Sequence, residues 1–170
     1  MKYRWSFLLY LLAFLLQGNL ANLLTIGGTA PNLILCLTVI FAFLYDDQFH
    51  AIIFGTLFGL FADLCFYDIA GVSALGYLLL SILIFFVGGN INKEHVLSIV
   101  ALGAVSTVLF EGWRFTVFRI LGSGQAFISL LRALPLMIIV NIICCAVIYF
   151  IIFGLVIRRN QKFYYGRHIY

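Results

Sequence analysis

The chain has 170 residues, 65% of them hydrophobic and 9% charged, with a formal net charge of +4 and a mean hydropathy of +1.16. A soluble domain carries about 25% charged residues, so the composition excludes a water-soluble globular protein, and nothing in it points to nucleic acid as a partner. A span needs about 20 apolar residues to cross a hydrocarbon core of about 30 Å, which leaves room for about five or six spans and for no folded soluble domain.

The first span is expected over residues 5–26, behind Lys2 and Arg4. Its apolar run is longer than the 7–15 residues or so of a signal-peptide core, and further spans follow, so it reads as an uncleaved first helix. Gly27 to Asn32 form a turn cluster around Pro31. A short second span covers 33–45 and ends at Asp46 and Asp47. The third covers 51–67 and the fourth 73–87. A loop with Lys93, Glu94 and His95 leads to the fifth span, 96–118, and a Gly/Ser loop to the sixth, 134–157. Pro135 then falls near the start of the sixth span, where the first helical turn lacks N–H partners and tolerates proline. The second and third spans are short, and one of them is expected to tilt, break or stop before a full crossing. Continuous apolar runs exclude a membrane barrel, whose strands alternate with period two. The expected fold is an all-α polytopic membrane bundle of about six transmembrane helices, residues 1–157, with a basic-aromatic cytoplasmic tail, 158–170.

Charge orients this bundle. Lys2, Arg4, Lys93, Arg158, Arg159, Lys162 and Arg167 fall on one side, against Arg119 and Arg132 on the other. The positive-inside rule assigns the richer side, and with it both termini, to the cytoplasm. The tail from Arg158 to Tyr170 interleaves bases with aromatics. It reads as an anchor to anionic lipid, each base contributing about 1 kcal/mol near the surface.

The polar residues then gather in the outer half of the membrane. Asp63 lies about 18 Å along its helix from the cytoplasmic end and Glu111 about 22 Å along its own. Arg114 shares a face with Glu111 at i, i+3 spacing. Gln17, Asn19, Asn22, Asn32 and Asn141 fall at similar depth. A charge at bilayer depth costs about 2.5–3.5 kcal/mol even on lenient scales, so these groups need partners. Either they hydrogen-bond one another and fix helix packing, or they line an outward-facing groove for a partner helix or ligand. Asp63, Glu111, Arg114 and Asn141 are the candidate groove residues. Gly55, Gly59 and Asp63 share one helix face, a strip of small residues that permits close helix approach. Packing inside the bundle is its expected use, alongside Pro135, with an intermolecular contact as the alternative.

Enzymatic signatures are poor. Gly71-Val72-Ser73-Ala74 has a faint likeness to the serine motif of intramembrane proteases. Its hydroxyl needs a histidine within hydrogen-bond reach, yet His50, His95 and His168 are all assigned to the other side. Phosphate-loop and zinc-protease motifs are absent. Cys36, Cys65, Cys144 and Cys145 have neither zinc-site spacing nor a disulfide framework and read as apolar filler. No catalytic residue, metal or cofactor is expected.

The order of these features resembles the MreD family of rod shape-determining membrane proteins. Pro31-Asn32-Leu33 opens the second span as in that family. The stretch from Gly55 to Gly76, with Gly59, Asp63 and Gly71, resembles its most characteristic segment. Leu109-Phe110-Glu111 resembles its glutamate segment, and Arg132, Pro135 and Asn141 resemble its last helix. The resemblance implies a non-enzymatic component of the bacterial elongation machinery that binds the bitopic protein MreC and helps position peptidoglycan synthesis for cell shape. It also implies a bundle similar to the solute-binding subunits of energy-coupling-factor vitamin transporters, and such a subunit is the alternative function. Those subunits usually carry an Ala-x-x-x-Ala strip on their first helix, which residues 11–17 here lack.

Overall fold

The computed structural model describes residues 3–23, 29–44, 49–67, 69–88, 96–122 and 126–165, with the backbone alone described for 3, 19–23, 153 and 155–165. Every regular element of length among them is a helix: α1 Tyr3–Leu23, α2 Leu33–Leu44, α3 Phe49–Phe66, α4 Val72–Gly88, α5 Val96–Ile120 and α6 Phe127–Tyr165. Asn19 and Asn22 lie outside the described side chains. So do the bases and aromatics of the tail, and the loop holding Lys93, Glu94 and His95 lies outside altogether.

The second helix sets the architecture. It has 12 residues, and Leu33 through Phe43 are all buried. At 1.5 Å per residue it is about 18 Å long, too short to cross a core of about 30 Å. A helix apolar on every side belongs inside a bundle, and α2 touches each of the other five helices. Those five form an arc around it in the order α1, α3, α4, α5, α6, each packing on the next. The arc does not close, since α1 and α6 have no close backbone approach among the described residues.

Three helical segments, Phe49–Phe66, Val96–Ile120 and Phe127–Ile152, are long and apolar enough to cross a membrane. Of the two short spans, α2 is the one that falls short of a crossing. The sixth helix corrects its expected boundaries. It begins at Phe127 and runs to Tyr165, through the start of the basic tail. Pro135 therefore lies inside the helix rather than in its first turn, and it removes the hydrogen bond to the carbonyl four residues earlier. Its side chain is exposed, outside the packed interior where a packing residue was expected.

Each peripheral helix turns one face inward at three-to-four residue spacing. Ser6, Tyr10 and Ala13 are buried on α1, and His50, Phe54, Phe58 and Ala62 on α3. Tyr10 stacks on Phe41 of α2 and Phe58 of α3 at centroid distances of 5.6 and 5.8 Å. Its hydroxyl donates to Thr38 Oγ1, which donates in turn to the Ile34 carbonyl. Leu8, Leu12, Leu79, Leu83, Ile139 and Ile143 are exposed on the outer surface, as a lipid-solvated bundle requires.

Candidate functional site

Helices α1, α3 and α5 end, and α2, α4 and α6 begin, at one end of the bundle, which carries nearly all the polar groups singled out by sequence. They divide into two structures. The first is the α3–α4 hairpin. A Cβ on Gly55 would come within 2.9 Å of Thr38 Oγ1. One on Gly59 would come within 2.6 Å of the Tyr77 ring and 3.0 Å of the Ala74 backbone. The glycine strip thus packs α3 directly onto α2 and α4. Gly76 continues the close packing onto α5, meeting Phe110 and Trp113.

Asp63 completes this hairpin and corrects the expectation of a groove residue. It is buried and does not line the cavity described below. Its Oδ2 accepts hydrogen bonds from the backbone N–H groups of Gly71, Ser73 and Ala74, at 3.0, 2.7 and 3.3 Å. The first N–H groups of a helix have no partner within it, and its N-terminus carries partial positive charge. A carboxylate from the preceding helix answers both needs of α4. Gly71 makes the turn, at φ +96°, where L side chains are disfavoured. Trp113 Nε1 donates to the Val72 carbonyl and ties the same turn to α5.

The start of α2 is built by the same logic. Its first N–H groups have no partner within the helix and need acceptors from elsewhere. The N–H of Asn32 donates to Asn141 Oδ1 on α6 at 2.9 Å, that of Ile34 to Gln17 Oε1 on α1 at 3.3 Å, and that of Leu35 to Asn32 Oδ1 at 3.0 Å. Asn141 Nδ2 donates to Thr107 on α5 and Tyr77 donates to Asn32. Asn141, read from sequence as a groove residue, clamps α2 to α5 and α6 and also borders the cavity described below. Thr107 and Tyr77 were not legible as its company. An Asn just before an apolar run is a helix-start signal, but nothing in the sequence identifies its remote partners.

Above this clamp lies a cavity of about 330 Å³, bordered by Gln17, Asn32, Tyr67, Glu111, Arg114 and Met137. Glu111 and Arg114 meet here as their spacing predicts, though loosely, with Arg114 Nη1 3.6 Å from Glu111 Oε1. That separation exceeds hydrogen-bond range for an N–H to a carboxylate. The guanidinium lies 4.6 Å above the Tyr67 ring. Its Nε is buried and has no hydrogen-bond partner among the described residues. The side chains retain exposures of 21% for Arg114 and 13% for Glu111. The two charges are thus immobilised but incompletely used.

Other chemistry finds no assembly. Ser73 begins α4 and His50 lies at the start of α3, at opposite ends of the bundle. Among the described residues no three His, Cys, Asp or Glu side chains gather as a metal site, and the four cysteines are free.

One family profile matches the sequence, that of the rod shape-determining protein MreD, over residues 1–159. No curated protein and no solved structure matches.

Proposed function

The chain belongs to the MreD family of rod shape-determining proteins, and we propose that it acts as a non-enzymatic membrane component of the elongation machinery, binding MreC and helping to position peptidoglycan synthesis. Its setting in this reading is the bacterial cytoplasmic membrane, with both termini cytoplasmic and the polar end of the bundle facing outward, as the charge bias favours. The basic tail rests on anionic lipid.

The observation that carries the partner reading is the unclosed arc. Among the described residues helix α1 packs only on α2 and α3, and α6 only on α2 and α5. One additional helix lying against both would complete the ring around α2. Such association in lipid is driven by packing and interhelical hydrogen bonds, not by hydrophobic burial. The single transmembrane helix of MreC has the form this seam accommodates. Glu111, Arg114 and Asn141 stay in the reading as polar groups at the outer end of the seam, while Asp63 leaves it for the scaffold.

Affinity purification from solubilised membranes, scored beside cell shape in a deletion strain, tests this function. Recovery of MreC and rounding of the deleted cells are expected. Cells of unchanged shape that lose uptake of a vitamin would instead establish the transporter alternative.

A further inference from the structure

The cavity at the polar end contains two unmet demands that point to one kind of occupant. Arg114 has a buried Nε without an acceptor, and its nearest carboxylate oxygen is 3.6 Å away. A guanidinium has five N–H donors, and Arg114 lines the cavity. Glu111 makes no hydrogen bond in the described structure beyond that long contact, and its carboxylate offers about four acceptor sites. The pair is nearly neutral as a whole. An occupant that satisfies both groups carries an anion for Arg114 and N–H donors for Glu111, a few ångströms apart.

The position narrows the class. Glu111 is nine residues and Arg114 six residues from the end of α5 at Ile120, about 13 and 9 Å below that end. With the polar end facing outward, as the charge bias favours, this places them near the boundary between headgroups and acyl chains. The cavity wall includes Gln17 and Gly18 of α1 and Met137 and Asn141 of α6, the two helices that do not pack together. An amphiphile can therefore reach it sideways from the bilayer with its chains left outside. At about 330 Å³ it stands at the lower end of ligand pockets, which span about 300–1,000 Å³, and suits a headgroup better than a whole lipid. Tyr67 holds the guanidinium flat against its ring, 4.6 Å from the centroid. This fixes its donors before the occupant arrives.

We propose that this cavity binds the headgroup of an aminophospholipid, phosphatidylethanolamine, with its phosphate on Arg114 and its primary ammonium on Glu111. The site is a property of the bundle alone and does not rest on the MreC reading. It distinguishes ethanolamine from choline by chemistry. The ethanolamine ammonium has three N–H donors, whereas the quaternary choline nitrogen has none and cannot hydrogen-bond a carboxylate.

The test is native mass spectrometry of the purified full chain, exchanged into detergent micelles that contain equal amounts of two lipids. Hydrogen bonds to a charged group change an equilibrium constant by about tenfold or more. Phosphatidylethanolamine should accordingly be retained about tenfold over phosphatidylcholine, with the N-monomethyl and N,N-dimethyl lipids falling between in order. This series varies the ligand and needs no substitution, so misfolding cannot obscure it. Glu111→Gln should bring the ratio close to one while lipid retention continues, and Arg114→Gln should lower retention of all four lipids. Equal retention of the ethanolamine and choline lipids by the unaltered protein would overturn the proposal. Soluble O-phosphoethanolamine should not displace the lipid. Displacement at matched concentration would show a solute site and overturn the lipid assignment.

Discussion

Asp63 and Glu111 are carboxylates at the same end of one bundle, two helices apart, and the structure uses them in opposite ways. Asp63 sits where α3 meets α4, 1% exposed, with three backbone N–H groups on a single oxygen. Glu111 sits where α1 and α6 fail to meet, with one cation at 3.6 Å and open space before it. Around Asp63 every neighbour is close, down to glycines that leave no room for a Cβ at Gly59. Around Glu111 the helices stand apart. The lesson is that expense alone does not identify function in a membrane protein. A buried carboxylate that caps the next helix belongs to the scaffold, even though the second oxygen of Asp63, Oδ1, has no hydrogen-bond partner among the described residues. A loosely paired charge that borders a cavity marks the place where something else binds.

Substitutions can break this contrast, and the closed side should suffer most. Gly59→Leu puts a branched side chain where even a Cβ reaches 2.6 Å from Tyr77 and 3.0 Å from backbone. Overpacking against backbone has no easy relief, and a loss of about 3–5 kcal/mol is expected. Membrane abundance by immunoblot should fall to near zero. Asp63→Leu leaves three N–H groups of the α4 start without an acceptor, a loss of about 3 kcal/mol. Asp63→Asn keeps one acceptor oxygen and should lose only about 1 kcal/mol. Thermal melting in detergent should rank these two below the unaltered protein in that order. Asn141→Leu deletes the clamp to Asn32 and Thr107. Interhelical hydrogen bonds of this kind are worth about 0.6 and at most about 1.7 kcal/mol, so its melting should shift less than that of Asp63→Leu. Glu111→Gln ends the series. A loosely held, partly exposed ion pair contributes under about 1 kcal/mol, and melting and abundance should stay close to the unaltered protein.

Much of the scaffold was legible beforehand because long apolar runs leave few choices. The starts of α2, α4 and α5 fall within one residue of the positions read from sequence, and the strip Gly55, Gly59 packs as small residues at that spacing do. The start of α6 was not legible. Arg132 and Pro135 interrupt the apolar pattern, and only the exposure of both in the folded chain shows that the helix runs through them. The role of Asp63 was hidden for a different reason. A carboxylate that caps the following helix looks, in one dimension, the same as one that waits for a partner. The i, i+3 pairing of Glu111 with Arg114 is local and could be read. That Tyr67 would hold the guanidinium, and that the arc would stay open beside it, depends on packing between helices far apart in the chain. No spacing rule encodes it.

The central claim is that the open side of the arc receives the partner and the closed side does not. Photo-crosslinking amino acids placed in turn at Leu16, Ile139 and Ile143 on α1 and α6, and at Leu79 and Leu83 on α4, where an apolar groove of about 420 Å³ against α5 is the competing surface, test it in growing cells. All five positions carry exposed apolar side chains, so insertion and abundance should be alike. The account predicts crosslinks to MreC from the α1 and α6 positions and to none from α4. Crosslinks from Leu79 or Leu83, with silence along α1 and α6, would contradict it.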